Sequence, residues 1–120
     1  MKILIVDDSK AMRMIVRRSL RQAGYGDDVE EASSAQEALE TLKKQTSDLV
    51  LCDWNMPGMT GIALLEQLRA QHSKVRFGFI TSEGSEEMRK RAADAGALFL
   101  LAKPFSSESL EAALKSVGRN

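Results

Sequence analysis

A chain of 120 residues accommodates one compact domain that buries roughly 65% of the surface its unfolded form exposes, and leaves no room for a second. Lysine plus arginine and aspartate plus glutamate balance at 17 each with one histidine, so no overall field exists to hold nucleic acid or an anionic membrane, and partner recognition has to be local. One cysteine excludes an internal disulfide, the apolar stretch in MKILIVDD is too short for a signal peptide, and no apolar run reaches membrane-spanning length. The expectation is a soluble cytoplasmic domain spanning residues 1–120.

In chain order, the run ILIV (3–6) predicts a first strand. Met12, Ile15, Val16 and Leu20 then fall on one face of a first helix, which Gly24 stops. The weaker DVEEA (28–32) predicts a second strand. Ser34 with Glu37 forms a capping-box pattern opening a second helix with Leu39 and Leu42 inward. LVLC (49–52) is a third strand, followed by DWNMPG and a helix whose inner face is Leu64, Leu65 and Leu68. FGFI (77–80) is a fourth strand. The next helix, Ser85 to Ala95, is the least apolar, with only Met88, Ala92 and Ala95 inward and Gly96 as its stop. LFLLA (98–102) is a fifth strand, and Leu110, Leu114 and Val117 mark the inner face of a fifth helix. Four of the five strand runs are nearly continuous in apolar residues, the pattern of strands covered on both faces. Strict strand-helix alternation predicts an α/β fold: a parallel sheet with right-handed crossovers and helices on both sides.

Ligands of open parallel sheets bind beyond the carboxyl ends of the strands. The polar residues there are Asp7 and Asp8, then Asp53 and Asn55, then Thr81, Ser82 and Glu83, then Lys103 and Pro104. Each has an ordinary reading by itself: a helix cap, a turn residue, a solvated loop charge. Together they point elsewhere. Three carboxylates at neighbouring strand ends repel one another unless a cation relieves them. Hard oxygen ligands with room for water suit Mg²⁺. His72 lies far from any other ligand type and reads as solvated, and Cys52 reads as a small strand hydrophobe.

With Asp7-Asp8, Asp53, Thr81 and Lys103-Pro104-Phe105 in this order and spacing, and DWNMP around Asp53, the chain resembles the receiver domain of bacterial two-component response regulators over essentially its whole length. It looks most like the single-domain chemotaxis members of that family, the CheY-like proteins. The resemblance implies a five-stranded (βα)5 flavodoxin-like fold with strand order 2-1-3-4-5. It implies that Asp53 accepts a phosphoryl group from a phosphohistidine of a sensor histidine kinase or phosphotransfer protein, or from a small acyl phosphate. Asp8, Asp53 and the Asn55 backbone carbonyl would hold Mg²⁺ directly, and Asp7 through water. Thr81 and Lys103 would meet phosphoryl oxygens, Asn55 and Glu83 would tune hydrolysis, and a cis Lys103-Pro104 bond would aim the ammonium. The output face would be the fourth helix, fifth strand and fifth helix, docking a downstream protein. Such a domain is a signalling module that catalyses only its own phosphorylation and dephosphorylation.

One position departs from the family. Three residues before Lys103, where an aromatic switch residue is common, stands Leu100, and its neighbour Phe99 points to the opposite face. Leucine offers little contact that distinguishes two states, so weaker coupling to the fourth helix is expected. Trp54 is expected partly exposed beside the metal, and Phe105 packed into its loop. Among rivals, a haloacid-dehalogenase-like phosphatase would want an aspartate at 55 and a cap domain. A nucleotide or flavin module would want glycines in the first turn, which reads DDSKAM. A phosphorylation-independent docking module on the same fold is disfavoured by the intact acids, Thr81 and Lys103.

Overall fold

The computed structural model describes residues 1–117; residues 118–120, the end of the expected 1–120 span, lie outside it. Strands β1 (Ile3–Val6), β2 (Val29–Ala32), β3 (Leu49–Cys52), β4 (Arg76–Thr81) and β5 (Phe99–Ala102) alternate with helices α1 (Lys10–Gln22), α2 (Ala35–Lys44), α3 (Gly61–Ala70), α4 (Glu86–Asp94) and α5 (Ser107–Val117). The strands form one sheet in the order β2-β1-β3-β4-β5, every pairing parallel. This is the fold and order the sequence resemblance implies.

Alternation along each strand divides the core in two. Leu4, Val6, Val50, Cys52, Phe77 and Phe79 join buried residues of α2, α3 and α4 in one cluster. Ile3, Ile5, Leu49, Leu51 and Ile80 join Val16, Leu20, Leu110 and Leu114 of α1 and α5 in the other. β1 and β3 are buried throughout, which explains their unbroken apolar runs. β2 lies on an edge of the sheet and keeps two glutamates, matching its weak signal.

Local chemistry sets the boundaries. The side chains of Ser9, Ser34, Thr60 and Ser85 each accept the backbone N–H three residues on, capping α1 to α4, which satisfies one of the otherwise unpartnered donors at each helix start. Glu37 reaches back one residue further than a capping box requires and accepts from the Ser33 amide, just before the Ser34 cap. Gly24 and Gly96 follow α1 and α4 at φ of 90° and 95°, a left-handed conformation that any Cβ makes costly.

Two expectations are corrected. Ile15, expected on the inner face of α1, is 49% exposed, as is neighbouring Met14 at 60%. The helix is rotated so that Val16 and Leu20 alone are buried, with Met12 packed at the margin. Trp54, expected partly exposed, is buried; its ring centroid lies 4.9 Å from that of Phe79, so it belongs to the core beneath the site. Leu100 packs against the first cluster and Phe99 against the second, the opposite facing expected from their adjacency.

Candidate functional site

β1, β3, β4 and β5 end together, and their end residues build the site. One carboxylate oxygen from each of Asp7, Asp8 and Asp53 lies within 4.8 Å of the others. Octahedral Mg²⁺ holds oxygens about 2.1 Å away and so spaces them about 3 to 4 Å apart. The cluster therefore fits such an ion after a small closure, and its donors are all oxygens. Asp7 is buried and Asp8 exposed, leaving one side open to water, as a cation that retains water ligands needs.

Each acid is positioned by backbone. The Asp7 amide donates to Ala32 O at 3.1 Å and the Asp53 amide to Val6 O at 3.0 Å, extending the parallel ladder past the strand ends. Asp7 Oδ1 accepts from the Ser9 amide at 2.9 Å. Arg13 Nη1 donates to the Asp7 carbonyl at 2.7 Å, and Arg13 and Arg17 clasp Glu31 at 2.9 and 2.8 Å. Helical periodicity alone did not mark Arg13 as a support for the acidic loop, because its partner in that loop is a backbone carbonyl.

Lys103 reaches in from the opposite side. Its Nζ lies 3.4 Å from Asp7 Oδ2 and 3.7 Å from Asp53 Oδ1, and its amide donates to Thr81 O at 2.8 Å. The Lys103-Pro104 peptide is cis, as the resemblance implies. Thr81 is fully buried; its Oγ1 accepts the Glu83 amide at 3.3 Å, which leaves the hydroxyl hydrogen available to a ligand. Asn55 and Glu83 are exposed at the rim, and Phe105 packs against the α1–α5 cluster.

Burial raises the Asp53 carboxyl above its ordinary range; Lys103 opposes this, the Asp7 charge adds to it, and the Trp54 and Asn55 amides lower it. A partly desolvated carboxylate beside a second acid is the setting in which an added cation has most to offset. Cys52 is fully buried, and burial pushes its thiol well up, consistent with packing rather than reactivity. His72 is exposed at the end of α3, away from the acids.

An open parallel sheet that gathers acids, a hydroxyl and an ammonium at its strand ends, without a glycine cradle in the first turn, is the arrangement of the class the sequence resemblance implies, receiver-type signalling domains. The comparisons agree. The family model described as response regulator receiver domain matches residues 3–115. Chemotaxis protein CheY-3 of Vibrio cholerae serotype O1 is 42% identical over 119 residues, 98% of this chain and 91% of that protein. A probable chemotaxis protein CheY of Rhizobium etli is 35% identical over 118 residues, 97% of this chain and 91% of that protein. The solved structure of Vibrio cholerae chemotaxis protein CheY4 superposes with a TM-score of 0.86 at 36% identity, covering 97% of both chains. The chain belongs to the response regulator receiver domain family, and it is a two-component signalling domain.

Proposed function

We propose that Asp53 is the phosphoacceptor of a receiver unit formed by residues 1–120. The observation that carries this is the convergence of Asp7, Asp8 and Asp53 within 4.8 Å, with Lys103 3.7 Å from the Asp53 carboxylate. Asp53 Oδ attacks the phosphorus of a phosphohistidine on a sensor kinase or phosphotransfer protein. The new O–P bond forms as the N–P bond breaks, and the imidazole leaves with the electron pair. Asp8, Asp53 and the Asn55 carbonyl, with Asp7 through water, are the residues that would hold Mg²⁺, which when bound supplies positive charge to the transferring group.

The remaining groups act as fixed donors. Lys103 Nζ neutralises one phosphoryl oxygen, and the Thr81 hydroxyl donates to another. Asn55 and Glu83, exposed at the rim, border the path by which water reaches the acyl phosphate. By analogy with the chemotaxis proteins it is similar to, the unit acts in chemotaxis; the family resemblance extends this reading to the cytoplasm and to a downstream protein docked on the α4–β5–α5 face. Among the described residues no helix is long and apolar enough to cross a membrane.

The test is incubation with acetyl phosphate, with and without Mg²⁺, followed by intact mass. One phosphoryl group on the native chain, dependent on Mg²⁺, and none on Asp53→Asn is the expected result. An adduct that persists on the mutant would move the acceptor to Asp7 or Asp8 and overturn the assignment.

A further inference from the structure

The Arg89 side chain of α4 touches two other elements at once. Its Nε donates to the Gly84 carbonyl at 3.2 Å, and Nη1 donates to the Leu100 carbonyl of edge strand β5 at 3.2 Å. Nη2 lies 3.3 Å from where a Cβ on Gly84 would stand, and Leu100 Cδ2 lies 3.6 Å from it. The guanidinium fork therefore fastens the loop after β4 to β5, with α4 as its anchor. Only a planar group with several donors in fixed directions holds two carbonyls this way.

The loop it fastens begins at the site. Thr81 Oγ1 accepts the Glu83 amide, and the carbonyl of the following residue, Gly84, is the one Arg89 holds. A Thr81 hydroxyl drawn toward a group on Asp53 carries the Glu83 amide with it and displaces that carbonyl.

The two ends of α4 are held differently. At its C-terminal end, Arg69 of α3 donates to the Ala95 and Gly96 carbonyls at 3.3 and 3.1 Å and to Ser73 and Val75 O at 3.0 and 2.9 Å. Arg91 pairs with Glu66 of α3 at 3.2 Å. At the N-terminal end Met88 packs against the core, the polar tie to β5 is made by Arg89, and Ala92 is the one buried residue of the helix. A rigid rod clamped at one end and latched at the other turns about the clamp when the latch is disturbed. Between α4 and β5 runs a groove of about 200 Å³ lined by Arg89, Ala92, Ala93, Leu98 and Leu100, whose width such a turn changes.

We propose that Arg89 is the positioning residue that couples the phosphoryl site to the orientation of α4, and that the Arg69 clamp is the pivot. This rests on the proposed role of Asp53. It assigns to a guanidinium and two carbonyls a coupling that leucine at position 100 is expected to supply poorly.

The experiment maps ¹⁵N amide shifts of the native chain, Arg89→Met and Arg89→Lys, each with Mg²⁺ and with or without beryllofluoride as the phosphoryl mimic. Intact mass after acetyl phosphate treatment is measured alongside. In the native chain the mimic is expected to shift amides of 81–85, of 86–89 and of 98–102. In Arg89→Met the shifts at 81–83 persist while those at 86–89 and 98–102 fall by at least half. Arg89→Lys falls as well, since one ammonium replaces a fork. Mass uptake stays at one phosphoryl group in all three. A purely structural role would lower the melting temperature of the unliganded variants and leave the mimic-induced pattern intact. Undiminished shifts in α4 of Arg89→Met, with normal uptake, overturn the latch alone. Absence of uptake and of any shift at Thr81 in the native chain overturns the Asp53 reading and the latch with it.

Discussion

Gly61 opens α3 directly against the backbone of Asp53, the proposed acceptor, and replacing it with alanine sets two effects against each other. Helix propensity favours alanine by about 1 kcal/mol. Against this, an added Cβ would lie 2.1 Å from the Asp53 carbonyl oxygen, 3.0 Å from its carbon and 3.1 Å from Cys52 Sγ, and the closest of these is more than an ångström short of ordinary contact. The obstructing atom is backbone, so no rotamer change relieves it. It is also tied in place, because the Asp53 amide bonds to Val6 O and the Gly61 amide to Trp54 O at 2.8 Å. Overpacking typically costs about 1–3 kcal/mol and occasionally more; with hydrogen-bonded backbone as the obstruction the cost is about 3–4 kcal/mol, so after the propensity gain a net loss of about 2–3 kcal/mol is expected for Gly61→Ala. At about 4 °C per kcal/mol for a chain of this size, the melting temperature should fall by about 8–12 °C. Because the displaced carbonyl belongs to the residue proposed as nucleophile, phosphoryl uptake from acetyl phosphate, measured well below both midpoints, should slow by about tenfold or more. Urea unfolding and timed intact-mass spectra read the two effects. An alanine variant as stable as the native chain, or more so, with unchanged uptake, would refute the close packing of α3 on the acceptor.

Mg²⁺ should raise the melting temperature by mass action, about 1.4 kcal/mol at tenfold above its Kd, and should perturb emission from Trp54 beneath the site. Asp8→Asn should weaken this response while stabilising the metal-free chain by removing one repulsion; a melting curve indifferent to Mg²⁺ and EDTA would contradict the acidic site. Burial pulls the Glu31 carboxyl upward, but Arg13 and Arg17 outweigh it and hold the group below the ordinary 4.5. A depressed folded value confers stability that is present above 4.5 and lost as pH falls through the folded value. Glu31→Gln should thus cost about 1 kcal/mol near pH 7, discounted for partial exposure, and the difference from the native chain should shrink on acidification; a difference that is constant from pH 7 to pH 3 would show the pairing to be irrelevant. With Asn55 and Glu83 at the rim, the acyl phosphate should be short-lived after acetyl phosphate is removed, and a half-life of many hours by intact mass would oppose the roles given to them.

Helices and strands were legible because their signals are local. The run ILIV, the spacing of Leu64, Leu65 and Leu68, and the Ser34–Glu37 capping pattern each depend on neighbours within a turn or two of chain. The list of strand-end polar residues followed from alternation alone, since a parallel sheet brings its carboxyl ends to one rim. What periodicity could not provide is which side chains meet there: Lys103 and Asp7 stand 96 positions apart, and their contact depends on the order of strands, which entered the sequence reading through the resemblance. Trp54 reads as a loop residue, yet its ring finds Phe79 across β3 and β4, and the removal of so large an apolar surface from water decides its place. Ile15 satisfies the helical spacing of an inner face, but the turn of α1 about its axis is settled by what α5 and the sheet leave uncovered. Arg13, Arg69 and Arg89 were invisible for another reason. The contacts by which they brace the site and α4 are to backbone carbonyls, which every residue carries, so no residue type marks those contacts in advance, and only the packed chain brings one carbonyl rather than another within reach of a long flexible cation.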